Sequence, residues 1–431
     1  MMPQGEKIMS GERTEPQELE DDEEAFLDLE DPANRILDDG EKSVSDHSSE
    51  SDPERDKIPD DAAPSPVAMG EDLNEAPDRI PDRDDAIAVF RDPLGKPIHA
   101  VDLSPTAANV LALGGEGDVV YVVRCLENGV EQLASLSGHN ETITTISFSP
   151  NGEMLATGCV NSTVKLWDAT TWELCHTLRD LSGEVECLLW HPSSLVIVAG
   201  DMDAQVALWN AKKGTLATYF VGHRAGVTCM RWAQELKKLL TGSADGSLCL
   251  FSPKTGQQEG TIAKDLSPDS AGVTCIEGLT DDLFVVGCED GTLHLASLQK
   301  MKTVATLPDV HEQSIEAIGV SHRLGLYFST GCDCKIAVWN SDTHVLRCTI
   351  LATESIIPAK WVENYIVAGC SDGCVRVWDG RSSSQEPVLQ FSGHRRMVFD
   401  FSFDVARQRL YSVSDDATMR IFGLRERSPP E

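Results

Sequence analysis

Along most of the chain, apolar and polar residues alternate in short runs, and the runs follow one another in a fixed order. The segment at 138–168, GHNETITTISFSPNGEMLATGCVNSTVKLWD, shows the unit: a Gly-His pair, three apolar-alternating runs and a closing Trp-Asp. Alternation with period two turns one face of a run to a core and the other to solvent, so each run is a predicted β-strand. The unit recurs from Gly222-His223 to Phe251, from His311 to Trp339-Asn340 and from Gly393-His394 to Phe422. Aligned on Trp167, its copies place Val123, Trp167, Trp209, Phe251, Ala296, Trp339, Trp378 and Phe422 in register, at spacings of 44, 42, 42, 45, 43, 39 and 44 residues. Eight copies at this period predict one closed array rather than the two or three domains that 431 residues would otherwise suggest.

Six residues before those positions stand Gly117, Asn161, Asp203, Asp245, Asp290, Asp333, Asp372 and Asp416. Asp-Gly, as at Asp245-Gly246, Asp290-Gly291 and Asp372-Gly373, tolerates the positive φ of a tight hairpin, so this column marks the turn between second and third strands. Each unit opens on a strand of matching pattern, among them IHAVDLSP, ITTISFSP, VECLLWHP and VFDFSFDV, predicted to line a central channel. The last copy ends at Phe422 without a fourth strand, and AIAVFRDP at 86–93 is placed to supply it, which closes the array and removes its open edges. The insertion DLSPDSAG at 265–272 predicts a flexible surface loop.

Charge divides the chain. Up to Asp85 there are 29 acidic and 8 basic residues, and few large apolar ones. Residues 1–84 are therefore expected to be a disordered acidic tail. One island, AFLDLEDPANRIL, carries Phe26, Leu27, Leu29, Ile36 and Leu37, and Ser43, Ser49 and Ser51 each stand three residues before an acid, a context for acid-directed phosphorylation. Residues 85–425 are expected to be the array and 426–431 a short C-terminal tail. The net charge of −34 favours basic partners and disfavours nucleic acid and anionic membranes. The thirteen cysteines, mostly on predicted strands such as Cys187, Cys229, Cys249 and Cys275, read as reduced core residues, and neither Cys332/Cys334 nor Cys370/Cys374 completes a zinc set. No signal sequence or membrane-length apolar run is seen, so the expected setting is the cytoplasm, with the nucleus or cell cortex as alternatives. No cofactor, metal or catalytic constellation is expected: no phosphate loop, HExxH or nucleophile elbow is present.

The Gly-His and Trp-Asp dipeptides make the chain resemble the WD-repeat propeller family, which implies an all-β, eight-bladed propeller. In that family the turn Asp holds the Gly-His histidine, with a strand Ser or Thr and the third-strand Trp extending the network. The resemblance thus makes His139, His223, His311 and His394 structural, together with Asp203, Asp245, Asp290, Asp333, Asp372 and Asp416 and with Trp167, Trp209, Trp339 and Trp378. It also implies a docking face formed by the loops entering the first strands and by the second-to-third-strand turns. Glu116, Glu141, Glu184, Glu186, Glu289, Glu312, Glu316 and Asp415 flank those points and become the candidate partner-binding residues; Arg224, Arg395 and Arg396 share the rim. With its acidic head and the stretch VECLLWHPSSLVIVAGDMDAQVALWNAKKG at 185–214, the chain resembles the angio-associated migratory cell protein family. Fungal members of that family chaperone a newly made large-subunit ribosomal protein, and animal members are linked to cell migration and angiogenesis. The expected function is a monomeric, non-catalytic platform that captures a basic segment, such as that of a ribosomal protein. The alternatives are a signalling scaffold and a ubiquitin-ligase substrate receptor, the latter weakened because Arg381 stands one residue late after Asp379.

Overall fold

The computed structural model describes residues 79–263, 271–308 and 310–424. Among these residues the chain forms eight antiparallel four-stranded sheets, and in seven of them the strands lie side by side in chain order. The first strands, from Ile98–Leu103 through Ile143–Phe148 to Val398–Asp404, each touch the first strand of the next sheet, and the last touches the first. They therefore ring a central axis, and the fold is an eight-bladed all-β propeller. We number the blades from the one that begins at Ile98. The upper face is the one that carries the loops entering the first strands and the second-to-third-strand turns.

The alternation seen in the sequence becomes blade-on-blade packing. Leu166 of blade 2 shares a buried cluster with Trp190 and Ala199 of blade 3, and Val198 of blade 3 shares the next one with Met230 and Leu239 of blade 4. Each large side chain buried this way contributes about 1.5–3 kcal/mol. The aligned positions sit in the third strands: Trp167 opposite Leu155, Trp209 opposite Ile197, Phe422 opposite Leu410. In the turn that precedes them, the residue after the Asp column has positive φ in every blade. Gly246, Gly291 and Gly373 meet this without strain, whereas Asp118, Ser162, Ala204, Cys334 and Ala417 adopt it with a Cβ.

Closure follows the expected route with a shorter strand. Ala88–Arg91, rather than the whole of 86–93, pairs with the third strand of blade 8, Ala88 opposite Ile421 and Arg91 opposite Thr418. The expected tail boundary at residue 84 moves. The N–H of Arg79 donates to the Arg395 carbonyl, Asp84 pairs with Arg420, and Asp85 exchanges hydrogen bonds with Ser392, so residues 79–85 belong to the propeller. The rest of the expected tail, with its apolar island and its serines, lies outside the described residues. So do most of the 265–272 loop and the C-terminal tail 426–431.

Candidate functional site

The upper face is shaped by hydrogen-bond networks that vary from blade to blade. Blade 6 has the full set: His311 Nδ1 lies 3.0 Å from Asp333, its Nε2 lies 2.9 Å from the Ser329 hydroxyl, and the Trp339 indole N–H donates to that hydroxyl at 3.2 Å. Blade 8 repeats it with Phe422 in place of Trp, His394 standing between Asp416 at 3.2 Å and Ser412 at 2.7 Å. Burial pushes the Asp416 carboxyl up, but the His394 contacts, the Thr418 hydroxyl and the Arg395 N–H outweigh it and hold the group well below the usual carboxylate range. In blade 4, His223 Nδ1 is 3.7 Å from Asp245, and the Ser247 hydroxyl, 3.0 Å from the ring and 2.5 Å from the carboxylate, bridges the two.

Blades 2, 3, 5 and 7 depart from this set in ways that the Gly-His pattern did not disclose. In blade 2, His139 bonds Thr157 at 2.7 Å, but Asn161 turns to Asn140 and Thr163, and the buried Nδ1 of His139 has no hydrogen-bond partner among the described residues. The expected grip of residue 161 on this histidine is therefore absent. Burial, reinforced by Lys165, pushes the His139 pKa down to about 4. In blade 3 the expected Asp203 is exposed and takes the Ser182 hydroxyl at 3.2 Å, while the buried Asp201 accepts four backbone N–H groups and Asp180 receives the Trp209 indole N–H at 2.7 Å. Blade 5 links Asp290, Thr292 and the strand histidine His294. Blade 7 replaces the histidine with Arg376, whose guanidinium meets Asp372 at 2.7 and 3.1 Å, and its Trp378 donates to the Gln385 carbonyl.

Every first strand carries a β-bulge at its upper end, the register shifting between its first residue and its third, or in blade 7 its fourth. A bulge re-aims the residue it leaves unpaired. The residues so placed are His99, Thr144, Glu186, Thr228, Thr274, Glu316, Ile357 with Pro358, and Phe399, a ring around the mouth of the channel. Thr144 and Thr228 donate to the first carbonyl of the next blade, each at 2.5 Å, and Thr274 makes the same bond to Ile315. Glu186 and Glu316 interrupt this stitching with carboxylates. Glu186 is pushed above the usual carboxylate range by burial and then by Glu184.

The remaining candidate acids stand around that ring. Glu141, Glu184 and Glu312 lie on loops entering first strands, and Glu116, Glu289 and Asp415 on second-to-third-strand turns. Glu116, Glu141, Glu289 and Glu312 are exposed. Three of the eight already face a basic group: Glu312 meets Lys335 at 2.7 Å, Asp415 meets Arg396 at 3.4 Å, and Glu116 lies 4.0 Å from His99. Glu354 belongs with the set and was missed, because its loop carries no Gly-His pair to align on; it accepts from Ser371 and lies 3.8 Å from Arg79. Of the rim's basic residues, Lys96, Arg395, Arg396 and Arg420 line one hollow at blades 8 and 1, whereas Arg224 stands exposed on the entry loop of blade 4. At the lower end of the channel Asp102 accepts the Phe148 N–H at 2.7 Å, and burial pushes it up to about 6. Arg381, weighed as a ligase-docking residue, has its guanidinium held by Asp379 at 2.7 Å.

Among the described residues no group of three or more His, Cys, Asp or Glu is arranged to hold a metal ion. The chain matches the family model described as the IFT122 first beta-propeller over residues 97–379, and the WD domain, G-beta repeat, over 385–423. It is 26% identical to the angio-associated migratory cell proteins of Canis lupus familiaris and Homo sapiens, over 75% of this chain and 77% of theirs. In fold it is similar to Saccharomyces cerevisiae Sqt1, with a TM-score of 0.72 and 17% identity over 79% of this chain and 98% of that one. It is likewise similar to Chaetomium thermophilum Sqt1 bound to the N-terminus of the ribosomal protein L10, with a TM-score of 0.71 and 20% identity over 79% of this chain and all of that one.

Proposed function

We propose, from the premise that the chain belongs to the IFT122 first beta-propeller family of WD-repeat proteins, that it is a non-catalytic platform whose upper face captures a basic segment of another protein. The observation that carries this reading is the bulge ring. It aims Glu186 and Glu316 at the channel mouth, with no lysine or arginine paired to either among the described residues, and further acids surround it. A carboxylate whose charge is disfavoured by burial and by a neighbouring acid, as Glu186 is beside Glu184, gains most from an incoming cation, and a concave mouth focuses the field. A Lys- or Arg-rich peptide replaces the repulsion between Glu184 and Glu186 with charge-assisted hydrogen bonds and reaches Glu316 across the ring. The likeness to a propeller seen with the N-terminus of ribosomal protein L10 supports the finer reading, a cytoplasmic chaperone that holds the basic end of a large-subunit ribosomal protein until it is delivered.

The test is titration of the full chain with a labelled peptide of the L10 N-terminus. Saturable binding that weakens steeply with salt is expected. Glu186→Lys together with Glu316→Lys should weaken it at least tenfold, while Asp379→Asn on the lower face leaves it unchanged. Binding indifferent to both salt and the double substitution would sink the reading. Recovery from cells of cortical signalling proteins, without any ribosomal protein, would favour a scaffold instead.

A further inference from the structure

The strand that closes blade 8 is preceded by residues 79–85, and their hold on the propeller is uneven. Next to the closing strand it is firm, since Asp84 pairs with Arg420 and Asp85 exchanges hydrogen bonds with Ser392. Ahead of it, Ile80, Pro81 and Asp82 make no hydrogen bond to a described residue, and Ile80 is 83% exposed. Arg79 is anchored again, on the upper face. Its N–H donates to the Arg395 carbonyl at 3.0 Å, and its guanidinium lies 3.4 Å from Asp372 and 3.8 Å from Glu354. The side chain is 61% exposed, so each of these ion pairs is weak.

The charges around it explain why a cation sits there. Asp372, buried in the second-to-third-strand turn of blade 7, already holds Arg376 at 2.7 Å, while Glu354, on the entry loop of the same blade, accepts the Ser371 hydroxyl at 3.3 Å. Two carboxylates and one guanidinium leave one negative charge, and Arg79 balances it. On the next entry loop Arg396 is held by Asp415 at 3.4 Å, and the exposed Arg395 forms no ion pair with Glu354 or Asp372. Arg79 thus takes, from within the chain, the kind of place that an incoming lysine or arginine would fill.

We propose that Glu354 and Asp372 form a cation subsite of the upper face, filled by Arg79 in the free chain and by a lysine or arginine of the captured segment in the complex. Displacement lifts residues 79–83 and leaves Ala88–Arg91 paired with blade 8. It presupposes that a basic segment is captured on this face. Arg79 has the advantage of its tether, and a segment that also meets Glu186 and Glu316 has that of several contacts made at once.

A labelled peptide of the L10 N-terminus, titrated by anisotropy into the full chain, reads the displacement. Arg79→Ala should raise its affinity about two- to fivefold, the worth of one exposed ion pair. Arg83→Ala removes the same charge from the same segment, but from a residue held by Asp85, and should not raise it. With Glu354→Gln already in place, Arg79→Ala should lose most of its gain. Hydrogen exchange at the Arg79 and Ile80 amides should quicken when the peptide binds. The subsite is overturned if Arg79→Ala raises affinity no more than Arg83→Ala, if the gain survives Glu354→Gln in full, or if exchange at these two amides slows or stays the same. A native chain without saturable binding removes the reading of the upper face and the subsite with it. Binding that is lost with Glu186→Lys and Glu316→Lys together, yet ignores Arg79→Ala, removes the subsite alone.

Discussion

At the scale of single residues, the networks of the upper face rank the blades by how completely their buried polar groups are satisfied. Asp333 holds His311 and accepts the Glu312 and Lys335 N–H groups, so Asp333→Ala orphans several partners at once and should cost about 2–3 kcal/mol. Blade 2 lacks that grip: Asn161→Asp gives the unpartnered Nδ1–H of His139 an acceptor and should stabilise the chain by about 1 kcal/mol. Both are read as shifts of the urea midpoint at unchanged slope. Two groups also set opposite pH trends. With a folded pKa of about 6, Asp102 binds its proton more tightly in the native state, so its contribution is greatest below about pH 4, declines as pH rises to about 6 and is flat above. His139, lowered to about 4, works the other way, its contribution falling as pH drops from about 6.5 to 4. Asp102→Asn keeps an acceptor for Phe148 and should gain stability at pH 7, by no more than about 3 kcal/mol, and nothing at pH 4. A gain of equal size at both pH values would show that Asp102 is not protonated in that window.

The strand and turn elements were largely legible in the sequence because each rests on local chemistry: period-two alternation for strands, Asp-Gly for the turn before Trp-Asp. The register of all eight third strands followed from one column, Val123 through Phe422. What escaped was any role taken by a residue outside the column. Asp201 does the work expected of Asp203, Arg376 stands in for a histidine, and Glu354 lies on a loop without a marker, each fixed by where the fold brings its side chain rather than by spacing. The placement of the candidate acids on upper-face loops and turns was legible, but the bulges that aim Glu186 and Glu316 were not, since a bulge leaves no mark on hydrophobic alternation. The closing strand was foreseen and is short, which makes it the weakest seam of the ring. Its pairing rests on four residues, Val89 opposite Arg420 among them. Val89→Pro leaves the alternation of the blade intact and should break this seam, because proline fits neither a paired strand interior nor its φ. The expected result is loss of several kcal/mol, with hydrogen exchange rising first at residues 418–421; protection retained there would mean that Ala88–Arg91 does not close the ring.

Across the whole molecule, charge sets how the proposed upper-face site responds to salt. The chain carries −34, of which −21 lies at or before Asp85, so an approaching basic peptide is drawn from a distance and an acidic one repelled. Raising the ionic strength from 0.01 to 0.15 M shortens the Debye length from about 30 to about 8 Å. The long-range field is then largely screened, while contacts at 3 Å are screened much less. The association rate of the basic peptide with the upper face should therefore fall steeply. Over the same range the fold itself should gain stability as self-repulsion relaxes. Stopped-flow anisotropy with the labelled L10 peptide measures this rate on the full chain. An association rate of the basic peptide that does not change with salt would mean that the net charge of the molecule does not govern its encounters.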